Sequence, residues 1–383
     1  MDYGTLDRLS DGLAGELVRS GVKPGHVVGV LFEKSQWAIV SILAVIKTGA
    51  TYAPFSPAYP RARLEGIAKD AKIQIVVCSP QQKEAFPNPA WQTIVVSDET
   101  AYFFTPAAQI YGKHKAFATG AMARAPLLKR GNDSRVLQFA PFAFDPSIED
   151  ILTTLMFGGC ICVPSDDDIM GDISAFMKTA RVNFANITPS VAYTLKENEL
   201  PDFKILLLSG EAPDQALVDK WDGLVQLMNG YGPSECSVKC AINCNLTRNE
   251  PKNIGHSAGT SLWVVRPGNH NRLTPIGAVG ELVIESPHLA TGYMNRPEAN
   301  DKFILSPPWL REFRDGQITR MYKTGDLVRY MEDGSILYIG RGDMQLKIHG
   351  QRLEGEEVQQ RIQDALMDAQ LQSLTWLEKE STG

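Results

Sequence analysis

The sequence predicts an α/β chain built on a doubly wound parallel sheet, followed by a smaller β-rich part. Three observations predict it. The run ILLL at residues 205–208 is short, apolar and ended by Ser209-Gly210, so it reads as a buried parallel strand with 214–226 as its crossover helix. The same alternation of apolar run and helix-length segment recurs upstream of it. From about residue 252 the texture changes to short strands separated by Gly, Pro and Asp turns.

Taken in order, Leu6, Leu9, Leu13 and Leu17 stand at helical spacing within 5–20, 27–32 reads as a strand, and 35–48 as the helix after it. Residues 73–78 and 93–96 are further strands, while Pro54, Pro57 and Pro60 make the segment between an ordered loop rather than a helix. Residues 136–164 read as strand (136–139), loop, helix (148–157) and strand (160–163). The later strands, 261–265, 281–285, 327–330 and 335–339, read as a mostly antiparallel, barrel-like subdomain. Asp343 opens a last element, with 345–349 and a helix over about 355–378. The division implied is 1–251 for the α/β core, 252–342 for the β-rich subdomain and 343–383 for the remainder.

The 383 residues are enough for a large core and two lobes. A net charge of -6 leaves no electrostatic footprint for nucleic acid or an anionic membrane, so neither is expected as a partner. The first residues carry no basic and apolar leader, and the longest apolar stretch, 37–46, contains Ser41 and is too short to span a bilayer. A soluble, cytoplasmic chain is expected. Its six cysteines fit a reduced compartment, and Cys236, Cys240 and Cys244 lack the CxxC spacing and the histidine of a metal site.

The densest chemistry lies at residues 229–235, Asn229-Gly230-Tyr231-Gly232-Pro233-Ser234-Glu235. Placed after a parallel strand, this turn falls at the carboxyl ends of the sheet, where nucleotides bind in open α/β folds. It supplies an aromatic face for a base, a hydroxyl for a phosphate and a carboxylate for Mg2+. An ordinary Gly-Pro turn with a nearby acid accounts for the same string.

Further segments agree with the first reading: 44–64 (AVIKTGATYAPFSPAYPRARL), 280–303 (GELVIESPHLATGYMNRPEANDKF), 322–327 (YKTGDL) and 340–354 (GRGDMQLKIHGQRLE). In this order, with 229–235, they resemble the core motifs of the adenylation domains of nonribosomal peptide synthetases, over residues 3 to about 358. The resemblance implies the adenylate-forming fold, with residues 343–383 as the start of a truncated C-terminal lid and Asp343 and Lys347 at its hinge. It implies an enzyme that uses ATP and Mg2+ to activate an amino acid as its adenylate, for transfer to the phosphopantetheine thiol of a carrier protein. Asn229, Tyr231, Gly232, Tyr338, Asp326 and Arg341 would hold the nucleotide, the last two at the ribose. Ser234 would bond the α-phosphate and Glu235 would hold Mg2+. Asp145, within Phe144-Asp145-Pro146-Ser147, would pair with the substrate's ammonium group, although Asp145 or Ser147 is equally read as a helix N-cap. The side-chain pocket would be lined by Pro146, Glu149, Asn186, Leu207, Ser209, Gly230, Val238 and Lys239. Glu149 and Lys239 are unusual there: they pair with each other, meet a polar substrate, or lie on the surface.

The chain departs from the family at its phosphate loop. Residues 101–117 (AYFFTPAAQIYGKHKAF) keep the flanking strand and the HKAF segment, but the Gly-Ser-Thr core is replaced around Pro106, Ala107 and Ala108. Proline has no N–H and alanine disfavours positive φ, so a backbone nest for phosphate is not expected there. The family's lysine-bearing segment further along the lid is not within the 383 residues. Two other readings therefore stand beside the enzyme: a catalytically degenerate relative acting as a binding or scaffolding module, and an acyl-CoA-synthetase-like ligase.

Overall fold

The computed structural model describes residues 1–87, 89–97, 115–290, 292–293, 297–342, 345–348 and 351–354. Two parallel sheets form its α/β part. In the first, β1 (Val27–Leu31), β2 (Thr51–Phe55), β3 (Ile75–Cys78) and β4 (Gln92–Val95) run parallel in the order β2-β1-β3-β4. Helices Tyr3–Arg19 and Gln36–Lys47 bury Leu13, Leu17, Ala38, Val40 and Val45 against it. Such a sheet, covered on both faces, explains the nearly unbroken apolar strands. The segment expected as loop around Pro54 instead contains β2; proline is tolerated because β2 is an edge strand.

The second sheet begins with β5 (Arg135–Leu137), β6 (Cys160–Cys162), β7 (Phe184–Ile187), β8 (Ile205–Ser209) and β9 (Gln226–Tyr231), parallel in the order β6-β5-β7-β8-β9. Strand order reverses at β5, so the loop after it opens at a topological switch point. Helix Gln215–Trp221 is the crossover expected after β8, shorter than the sequence suggested, with Trp221 buried against Phe203 at a 5.8 Å centroid distance.

The sheet then continues antiparallel through β10 (Ala241–Asn243) and β11 (Asn253–Ser257). Next in the chain come β12 (Ser261–Arg266), β13 (Asn269–Leu273), β14 (Gly280–Glu285), β15 (Phe303–Leu305), β16 (Arg320–Tyr330) and β17 (Ile336–Arg341). From β9 the lateral order is β10-β11-β17-β16-β14-β12-β13, with β15 paired to β16. The expected barrel-like closure is therefore corrected: among the described residues these strands remain an open sheet joined edge to edge to the parallel one. The physical reason is that β10 offers one edge to β9 and the other to β11, so hydrogen bonding propagates outward instead of returning. Residues 345–348 and 351–354 form a two-stranded hairpin.

Candidate active site

Strands β7, β8 and β9 deliver the expected residues at their carboxyl ends. Asn186 pairs in register with Leu207, and Ser209 with Gly230, so strand alternation sets Asn186, Leu207, Ser209 and Gly230 on one face. Apolar Phe184, Ile205 and Met228 bury the inner part of that face. The Ser209 hydroxyl donates to Asn186 Oδ1 at 2.7 Å, while the Asn186 amide nitrogen is buried without a hydrogen-bond partner.

The loop after β5 leads into a continuous helical run: α over Asp145–Ile148, π over Glu149–Thr153 and α over Thr154–Met156. Its N-cap is Phe144, with no side-chain cap bond, so neither Asp145 nor Ser147 serves as the cap. Ser147 instead donates backward to the Phe144 carbonyl at 2.7 Å. Asp145 is half-buried and lines a cavity with Ser234; burial pushes its pKa up, against the pull of Ser234 and Lys239. Pro146 beside it is also half-buried. The π turn adds a residue to the ring, a widening that recurs at functional sites, and here both Glu149 and Asp150 are buried.

Glu149 and Lys239 do not lie on the surface. Glu149 is fully buried, its Oε2 is 2.5 Å from Lys239 Nζ, and its Oε1 accepts from Arg124 Nε at 2.7 Å. Arg124 also donates to the Lys239 carbonyl at 3.2 Å. Burial alone would raise the Glu149 pKa, but the two cations outweigh it and hold it at about 2. Lys239 reaches this position through a tight return of the chain. Ser237 and Val238 stand at φ 55 and 82, the second an uncommon conformation for a β-branched residue. At Gly232 a Cβ would fall 2.5 Å from the Val238 carbonyl oxygen, so this close approach requires glycine.

The residues expected to hold the nucleotide gather one step along the edge. Asn229 is buried and donates to the Asn253 carbonyl at 3.1 Å. Tyr231 donates its hydroxyl to Asp326 Oδ2, and Arg341 Nη1 sits 3.1 Å from Asp326 Oδ1. The Tyr231 and Tyr338 rings are 6.4 Å apart and tilted by 39°. Strand pairing causes this meeting, since Asp326 and Arg341 are register partners on β16 and β17. Glu235 lies in the short helical turn Ser234–Cys236, bonded through its carboxylate to the Tyr293 hydroxyl. Its carbonyl accepts from the Ala290 amide at 2.8 Å. The structure thus brings Tyr231, Asp326, Tyr338 and Arg341 into one cluster, with Ser234 and Glu235 on the neighbouring turn and Asp145 lining a cavity with Ser234.

Three contributors were not foreseen: Arg124, Tyr293 and Lys34. Arg124 had one available signal, a lone arginine in the otherwise small and apolar stretch of helix Lys115–Leu127. Residues 101–114, which include the phosphate-loop segment, lie outside the described residues, as do Asp343 and the 355–383 helix; for Lys347 only the strand backbone is described. Beside Asp145 an open cavity of about 760 Å³ runs toward Ile46, Tyr52, Phe142 and Leu152.

A family model described as AMP-binding enzyme matches residues 1–109 and 110–294. The chain belongs to this family. Among curated relatives, it is 40% identical over 410 residues to Nonribosomal peptide synthetase 4 of Gibberella zeae, covering 97% of this chain and 5% of that protein. It is also 40% identical over 386 residues to N-benzoylphenylalaninol synthetase apmA of Penicillium brevicompactum, covering 94% of this chain and 16% of that one. The chain thus spans a small fraction of the relatives' length. Among solved structures, a four-domain nonribosomal peptide synthetase, holo-AB3403 bound to AMP and glycine, matches with a TM-score of 0.80 and 26% identity. That match covers 93% of this chain and 28% of the other. Holo-PA1221, which contains adenylation and PCP domains, matches at 0.80 and 24% identity over 94% of this AMP-binding chain and 67% of that one. These findings identify the AMP-binding chain as an adenylation domain of the peptide-synthetase type, with the mixed α/β fold described above.

The donor set suits Mg2+ with phosphates. Magnesium keeps most of its waters and takes one or two carboxylates, and Glu235, held by Tyr293 at the turn, would supply one. Among the described residues no group of three or more His, Cys, Asp or Glu could hold a metal ion by itself. No helix of the described residues is long and apolar enough to cross a membrane.

Proposed function

We propose that this chain activates an α-amino acid with ATP, forming an aminoacyl-adenylate for transfer to a carrier-protein thiol in nonribosomal peptide synthesis. The observation that carries this reading is that Asp145 and Ser234 line the same cavity. In an α-amino acid one carbon separates ammonium from carboxylate. A group reading the ammonium must therefore sit near a group reading the phosphate that the carboxylate attacks, and these two side chains face one cavity.

In this reading the half-buried Asp145 binds the ammonium, because a desolvated carboxylate gains most from an opposite charge. Ser234 then turns its hydroxyl to the α-phosphate. Asp326, aligned by Arg341, accepts from the ribose, the Tyr231 ring packs on the adenine, and the Asn229 side chain reads its edge. Glu235 holds Mg2+, which would neutralise charge on the phosphates. A carboxylate oxygen of the amino acid forms the new bond to the α-phosphorus as the bond to pyrophosphate breaks. Alignment by these side chains, with no covalent enzyme intermediate, supplies the catalysis. The division into 1–251, 252–342 and 343–383 belongs to the same proposal, as do a cytoplasmic location and a carrier-protein partner that recognises the assembled site. Relatives in which such partners are fused, like holo-PA1221 with its PCP domain, support the last point.

A second reading, a module that binds without catalysing, is favoured by the proline and alanines at 106–108 in the phosphate-loop segment. Calorimetric titration with ATP and Mg2+, with Glu235→Ala and Asp326→Ala as controls, separates the two when followed by pyrophosphate exchange across an amino-acid panel. Binding lost in both variants together with amino-acid-dependent exchange is expected. Binding without exchange supports the module, and no binding by the folded chain removes both nucleotide readings.

A further inference from the structure

We infer that Lys239, held in place by Arg124 and Glu149, shortens the side-chain pocket, so the substrate is an amino acid with a small, oxygen-bearing side chain of the serine class. This rests on the adenylation reading above and adds to it both a substrate class and Arg124 as a positioning residue. Three observations carry it.

The first is occupancy. A Cβ built at Gly230 would fall 2.7 Å from Lys239 Cε and 2.9 Å from its Cδ, so the lysine stem lies directly across the sheet face between Gly230 and Leu207. Lys239, Glu149, Leu207 and Asn186 are all at most 2% exposed. The inner part of the pocket is filled by the protein itself. Second, the plug is locked. Glu149 is gripped by Lys239 at 2.5 Å and by Arg124 at 2.7 Å, and Arg124 additionally bonds the Lys239 backbone. Displacing Lys239 to admit a large side chain would break a buried ion pair. Third, a polar group of this face lacks an acceptor. The Asn186 amide nitrogen is buried with no partner, while its oxygen is already used by Ser209. A hydroxyl oxygen on the substrate's β-carbon supplies the missing acceptor, and leaving a buried donor unmet is what a methyl or hydrogen would do.

The test is calorimetry of the chain with four 5′-O-sulfamoyladenosine conjugates, those of serine, alanine, leucine and phenylalanine, and with sulfamoyladenosine alone. The seryl conjugate is expected to bind several-fold tighter than the alanyl and at least a hundredfold tighter than the leucyl and phenylalanyl ones. Lys239→Ala, which leaves the Glu149–Arg124 pair intact, should raise the leucyl affinity at least tenfold relative to seryl. Arg124→Met should move the same ratio, with Arg124→Lys restoring it, while affinity for sulfamoyladenosine alone stays unchanged; a merely structural role would weaken all ligands together. Leucyl or phenylalanyl binding that equals seryl in the unaltered chain would overturn the inference, because the side chain would then enter the cavity toward Tyr52 and Phe142. Absence of binding by sulfamoyladenosine itself would instead remove the adenylation reading on which it rests.

Discussion

Glu149 and Asp150 are neighbours, both fully buried, yet their carboxyls shift in opposite directions because only Glu149 has cations close enough to outweigh burial. Glu149 has two cations in contact and is held at about 2, whereas Asp150 has Arg130 only at 3.7 Å and burial raises it to about 7. Glu149→Ala would strand Arg124 and Lys239 in the interior, so it should cost about 3–5 kcal/mol in a denaturant titration. Lys239→Met keeps the arginine partner and should cost less. The signs for pH follow from the same two groups. Glu149 is depressed, so its contribution is complete above about pH 4.5 and is lost as pH falls toward 2. Asp150 is raised, so the native state keeps a proton that the unfolded chain has released between about pH 4 and 7, and its contribution is lost as pH rises through that window. Asp150→Asn should therefore gain on the unaltered chain as pH rises from 4 to 7, by about 4 kcal/mol at most, measured as unfolding free energy at several pH values. The sequence made Glu149 and Lys239 stand out as charges in an apolar list, and pairing was one of its open outcomes. What was not legible was Arg124, because residues 25 and 115 positions away along the chain are its partners.

At the scale of elements, the loop between β5 and the Asp145 helix is anchored from the other sheet. Lys34, just after β1, donates to the Gln138 side chain at 2.6 Å and to the carbonyls of Gln138, Phe139 and Ala140 at 3.1, 3.0 and 2.6 Å. Its ammonium also lies 4.8 Å from the Phe142 ring centroid. Burial lowers its pKa to about 7 despite Asp150 and Asp166. Lys34→Met should free residues 138–145. Amide hydrogen exchange in 142–147 is expected to quicken at least tenfold while β7, β8 and β9 keep their protection; equal protection everywhere would show that the clamp is idle. Helical periodicity and short apolar runs located the longer helices and the more apolar strands within a few residues. Strands β2, β7, β10, β11, β13 and β15 were missed: Pro54 argued against β2, Phe184–Ile187 carries the polar Asn186, and β10, β11, β13 and β15 are short or polar. The π turn is invisible in sequence, since its residues satisfy an α pattern equally well.

For the whole molecule, the continuity of hydrogen bonding from β9 through β10 and β11 to β17 ties the α/β core to the β-rich part. One cooperative unfolding transition is the consequence. Fluorotryptophan NMR during denaturation should give one midpoint for Trp221, in the core, and Trp263, on β12; separated midpoints would mean that the two parts fold independently. Sequence by itself determined the α/β class, the change of texture beyond the core, and the family, because periodicity, turn residues and ordered motifs are local properties of the chain. It also singled out candidate residues that the structure brings together, since those residues sit at strand ends and turns that local signals mark. Only the tertiary structure decided that the β-rich strands stay open, that Asp145 faces a cavity with Ser234 rather than capping its helix, and that the Lys239 stem lies across the face at Gly230. Each of these depends on which distant edges and side chains meet, and free energy of that kind is a property of pairs that no single stretch of sequence contains.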